Sequence, residues 1–99
     1  MRENLLKIIN NYGVIPQLKH LNSEVFELSE AIIEYENDCN YVPELETLEE
    51  GKRHITEEIA DVLVMLNQFV EYYEIQESDI YMIMEQKIDR QLDRMKEEK

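Results

Sequence analysis

Two stretches of the chain carry the same decoration. Residues 19–28, KHLNSEVFEL, and residues 53–62, RHITEEIADV, both run base, His, aliphatic, two residues, Glu, β-branched aliphatic, one residue, acid, aliphatic. The acids are Glu24 and Glu27 in the first and Glu58 and Asp61 in the second. An acid pair at i, i+3 means little alone, because the chain holds others at 27/30, 46/49, 71/74 and 74/77. The repeated context is what sets these two apart. At about 100° per residue, the first acid of each pair falls roughly 60° from the centre of its helix's apolar stripe and the second roughly 120°. The stripes are Leu21–Val25–Leu28–Ile32 and Ile55–Ile59–Val62–Leu66. On adjacent helices both pairs can turn into one cleft. Four carboxylates there would repel one another, and hard cations with oxygen ligands, Mg²⁺ or Mn²⁺, would resolve the conflict.

Asp61 is the most telling of the four, as the only ionised side chain between Ile59 and Leu66. A carboxylate near a packed helix surface is costly to desolvate unless a cation or hydrogen bonds offset the penalty. The alternative for Asp61 is a solvent-facing position or pairing with Arg53, His54 or a base on another helix. Glu30 points away from the stripe and is expected to be solvated. His20 and His54 lie one turn upstream of the acid pairs but lack the Glu-x-x-His spacing of di-iron bundles. They are expected at a helix edge, near the opening of the cleft.

A second cluster is basic. Half of the chain's ten bases, Lys87, Arg90, Arg94, Lys96 and Lys99, lie in the C-terminal stretch. Lys87, Arg90 and Arg94, spaced i, i+3, i+7, share one helix face. They are either a solvated face laced by Glu85, Asp89 and Asp93 or, beside a carboxylate cleft, anchors for phosphate oxygens.

The elements that must carry these residues are helical. Of 99 residues only two are glycine and two proline, and 43% are hydrophobic. This is the profile of a single all-α domain, residues 1–99. A first helix is expected over residues 2–10, ended by Gly13, and a second from a first turn holding Pro16 to about Asn37. Residues 37–54 read as the least regular part, with Pro43 opening a helical turn and Leu45 and Leu48 inward. A third helix is expected from about Arg53 to Tyr73, its middle apolar almost all round, which implies a second subunit against it. Ser78 reads as the N-cap of a fourth helix running to the C-terminus. Short links make the sum an antiparallel four-helix bundle, completed by oligomerisation. Tyr12, Phe26, Tyr35 and Tyr41 could stack on a base, with core packing the expectation for each.

The net charge of −13 disfavours nucleic-acid polymers and anionic membranes. No apolar run approaches the ~18 residues of a membrane span, and no signal peptide is evident, so the expected location is cytoplasmic. The single cysteine, Cys39, precludes an intrachain disulfide and reads as an incidental loop thiol.

The ordered set of these features resembles the MazG-like all-α nucleoside triphosphate pyrophosphohydrolases. That superfamily includes dimeric dUTPases, dCTP pyrophosphatases and phosphoribosyl-ATP pyrophosphatase. YGVIPQLKHLNSEVFELSEAI, with Gln17 and Lys19, is similar to the family's first half. EEIADVLVML resembles its EE-x-x-D-[VL]-L segment, and KIDRQLDRM its closing basic helix. The chain departs from the pattern at Gln91, where relatives often carry asparagine, and in a longer connection between the acid pairs. The resemblance implies Mg²⁺-dependent cleavage of a nucleoside triphosphate between its α- and β-phosphates, giving monophosphate and pyrophosphate. It places metal ligands at Glu24, Glu27, Glu58 and Asp61 and phosphate-binding bases at Lys87, Arg90 and Arg94, in a homodimer or homotetramer. Two other readings compete: a non-catalytic acidic helical interaction protein, and an enzyme acting on phosphoribosyl-ATP.

Overall fold

Gly13 makes the first break in the chain. Its φ of 95° and ψ of 158° lie in a region almost closed to other residues, and its N–H donates to the Ile9 carbonyl at 2.8 Å. This ends α1, Arg2–Tyr12, and starts α2, Val14–Tyr41. Pro16 sits in the first turn of α2, where a missing N–H costs nothing. A computed structural model describes residues 1–41 and 44–98, and its other helices are α3, Leu45–Tyr72, and α4, Glu77–Glu97. No strand occurs among the described residues, so the chain is all-α and bundle-like. No helix there is long and apolar enough to cross a membrane.

The segment expected to be irregular is mostly helical. α2 continues to Tyr41 and α3 begins at Leu45, while the expected turn at Pro43 lies outside the described residues. Leu45 is exposed rather than inward, and Leu48 is half-buried. Gly51, inside α3, is a point of close approach. A Cβ built there would lie 2.8 Å from Cδ2 of Tyr35 on α2.

α2 and α3 form the main packing unit and run antiparallel. Going up α2, Gln17 bonds Gln68, Glu24 and Glu27 meet Glu58, and Tyr35 covers Gly51. α1 lies against α3, with Leu5 and Ile9 buried and Arg2 paired to Glu71. The core is thin: among the described residues only Leu5, Ile9, Ala31 and Met65 are buried hydrophobic residues. Gln17 and Gln68 are buried with them, joined amide to amide at 2.8 Å. A buried amide pair of this kind satisfies itself and penalises a slip in register.

The turn into α4 uses Glu74 at φ 54°, with the Ile75 N–H reaching back to the Val70 carbonyl at 2.9 Å. That is a Schellman-type ending with Glu where Gly is usual. The N-cap of α4 is Gln76, not Ser78, and no side chain caps it. Glu77 and Asp79 in the first turn favour the positive end of the helix dipole instead. α4 has no buried residue and makes no extended packing against the other helices.

Candidate functional site

The seam between α2 and α3 is read from burial. On α2 it runs through Gln17, Leu21, Glu24, Leu28, Ala31 and Tyr35; on α3 through Gly51, Ile55, Glu58, Val62, Met65 and Phe69. Steps alternate between four and three residues, as in the a/d seam of a helix pair. Glu24 and Glu58 therefore lie on the seam itself. The stripe expected from hydrophobicity was displaced because Val25, Ile32, Ile59 and Leu66 were counted in it, and all four are exposed in the single chain. Glu27 and Asp61, one turn further on, occupy the exposed flank, as Glu30 does.

The structure brings together three of the four expected acids. Glu24, Glu27 and Glu58 each place a carboxylate oxygen so that all three lie within 4.8 Å of one another. Asp61 is outside that group, yet near enough for its charge to act on Glu24. The two seam carboxylates are largely enclosed, with side-chain exposures of 14% for Glu24 and 12% for Glu58. A histidine a turn earlier approaches each: His20 Nε2 is hydrogen-bonded to Glu24 Oε1 at 2.9 Å, and His54 Nε2 lies 3.3 Å from Glu58 Oε1 as an ion-pair contact without hydrogen-bond geometry. The other oxygens, Glu24 Oε2 and Glu58 Oε2, are buried with no hydrogen-bond partner.

Burial pushes the Glu24 carboxyl above its ordinary value of 4.5, and the charges of Glu27 and Asp61 push it further, against a downward pull from the His20 hydrogen bond. The seam thus crowds acidic groups so that protonation of Glu24 is favoured. A cation held there would take its ligands from carboxylate oxygens of Glu24, Glu27 and Glu58, the donor type that hard divalent cations prefer.

Beyond this cluster, toward the C-terminal end of α2, a cavity of about 300 Å³ is lined by residues that include Tyr35, Asp38, Glu50, Gly51 and His54. Tyr35 borders it as a half-buried ring, whereas Tyr12, Phe26 and Tyr41 are exposed rather than packed in a core. Cys39 lies within α2 rather than in a loop, near enough to Tyr35 for its thiol to help push the phenol pKa up.

Lys87, Arg90 and Arg94 are not brought to the acids. They are exposed on α4, and none forms an ion pair with Glu24, Glu27, Glu58 or Asp61, nor with Glu85, Asp89 or Asp93. The buried Gln17–Gln68 bridge was not anticipated as a pair. Its signal in the sequence was an amide inside the apolar run MLNQFV, three residues after Met65 and so on the same face. No protein-family model, curated protein or solved structure matches the chain.

Proposed function

We propose that this protein is a Mg²⁺-dependent nucleoside triphosphate pyrophosphohydrolase whose site is completed by a second copy of the chain. The observation that carries the reading is the meeting of Glu24, Glu27 and Glu58 on one helix seam with two buried carboxylate oxygens left unpartnered. Glu24, Glu27 and Glu58, with Asp61 on the flank, would hold the cation; Mn²⁺ would suit the same ligands. A cation held there supplies charge neutralisation for phosphate oxygens and acidifies a bound water. Phosphoryl chemistry asks little more of a protein than positioning and electrostatics. The nearby glutamates, including Glu57, are the available acceptors for the water's proton.

Lys87, Arg90 and Arg94 would bind the triphosphate as a row of cations on one face of α4. Since α4 does not pack onto its own α2–α3 seam, the partner's α4 is the source this reading assigns. Homodimer and homotetramer both provide one. The bond cleaved, between α- and β-phosphates, comes from the resemblance of the ordered motifs.

Phosphorus NMR with Mg²⁺ and a panel of ribo- and deoxynucleoside triphosphates tests the proposal. The expected products are monophosphate and pyrophosphate, with Glu58→Gln abolishing turnover. Diphosphate with orthophosphate would keep a metal enzyme but refute the bond assignment. An unchanged panel, including phosphoribosyl-ATP, together with a melting curve indifferent to millimolar Mg²⁺, would favour the acidic interaction protein. The many exposed apolar residues of α4 would then be its docking face.

A further inference from the structure

We propose that His20 and His54 are positioning residues for the cation site, each holding one oxygen of a glutamate so that the other stays free for the ion. The inference rests on the reading of Glu24, Glu27 and Glu58 as cation ligands. Its basis is a geometry that occurs twice. His20 on α2 reaches Glu24 Oε1, and His54 on α3 reaches Glu58 Oε1, each across one helical turn and each through Nε2. In both glutamates the oxygen left over is the buried one without a partner. The same repeat that supplies the acids, base-His-aliphatic-x-x-Glu, supplies the histidines in register.

The chemistry assigns the histidines to support rather than ligation. An ionised carboxylate only accepts hydrogen bonds, so His20 Nε2, bonded to Glu24, would carry the proton and offer a metal no lone pair, and His54 Nε2, 3.3 Å from Glu58, would do the same once the contact tightens. Both rings are about half exposed, 53% and 50%, while the carboxylates they touch are largely enclosed. The histidines therefore stand at the rim with the glutamates behind them. A free glutamate side chain samples many rotamers, and fixing it costs entropy. Tying down one oxygen beforehand lowers what the ion must order when it binds. Partners of this kind commonly account for roughly 10–100-fold in metal affinity.

The test uses Mn²⁺ alone, titrated into the metal-free full chain at pH 7.5, with free ion counted by electron paramagnetic resonance. The variants are His20→Ala/His54→Ala and His20→Gln/His54→Gln, since a glutamine amide nitrogen reaches about as far as Nε2 and keeps a donor there. The expected result is a roughly 10–100-fold rise in Kd for the alanine pair. The metal-free melting temperature should be little changed, and the glutamine pair should recover most of the loss. Either single His→Ala variant serves if the double variant does not fold. Wild-type affinity in the alanine pair would overturn the positioning role and leave the metal site standing. A loss that glutamine does not restore would also overturn it, because the hydrogen bond would then not be the cause. No Mn²⁺ binding by the wild-type chain would overturn the metal site itself.

Discussion

Glu24 carries the conflict that the site is built around. Its carboxyl is pushed up from its ordinary value, first by burial and then by the charges of Glu27 and Asp61. An acid whose folded-state pKa is raised favours folding while protonated and loses that advantage as pH rises through the folded value. The metal-free protein should therefore lose stability as pH climbs from about 4.5, the ordinary value, through the folded-state value. Glu24→Gln removes the charge while keeping the shape. It should raise the metal-free melting temperature at pH 7 to 8, leave it nearly unchanged at pH 4, and remove most of the gain seen with Mg²⁺. For wild type that gain is about 2.7 kcal/mol at a hundredfold excess of ion over Kd. Scanning calorimetry at the two pH values, with and without Mg²⁺, reads all three effects. A lower metal-free melting temperature for Glu24→Gln at pH 7 would mean that the carboxylate is satisfied by its neighbours, and the case for a cation would weaken.

At the scale of helices, the sequence was legible where a residue's local preference and its tertiary setting agreed. Gly13 needed a backbone region that few other residues can enter, and it ended α1 two residues beyond the expected bound. The repeated context marked four acids, of which Glu24, Glu27 and Glu58 meet and Asp61 stays on the flank. Residues 37–54 misled because their helical setting is fixed from outside the segment, as at Gly51. Its reason for being there is on another helix: the Tyr35 ring packs where a Cβ would sit. The stripe centre misled for a related reason. Val25, Ile32, Ile59 and Leu66 are apolar but lie off the seam, on flanks a single chain leaves exposed. Hydrophobicity marks what is to be covered, without saying by which neighbour. Gly51→Ala tests that close approach. In a free helix it would stabilise by about 1 kcal/mol. Here overpacking against Tyr35 should turn the effect into a net loss of about 1–2 kcal/mol. In a Tyr35→Ala background the same change should become neutral or stabilising. Urea denaturation of the four proteins measures the sign reversal, and a stabilising effect with Tyr35 present would show that the close approach yields easily.

The whole molecule is open. Its Cα radius of gyration is 17.3 Å, against about 13 Å for a compact chain of this length. Among the described residues four buried hydrophobic side chains form the core, while Tyr81, Met84, Ile88, Leu92 and Met95 mark an exposed apolar stripe along α4. Spacings of three and four residues put them on one face, ready to pack on another helix. The exposed flanks of α2 and α3 are the surfaces in the same chain with matching need. Self-association is thus the arrangement we propose, and light scattering should give a mass at least twice 11.9 kDa. Ile88→Glu/Leu92→Glu should lower that mass and the melting temperature together. Where the bases act is a separate question, and mixed oligomers answer it. Glu58→Gln destroys the acid cluster, and Lys87→Ala/Arg90→Ala/Arg94→Ala destroys the basic row, so each alone should be inactive. If a site takes acids from one copy and bases from the other, a mixed dimer holds one intact site and one doubly damaged site. Random exchange in a dimer should then restore about a quarter of wild-type activity. If acids and bases serve the same chain, every site in the mixture keeps one defect, and exchange restores nothing. That outcome would require α4 to fold back over its own seam on binding substrate, and it would move the triphosphate site from between subunits to within one.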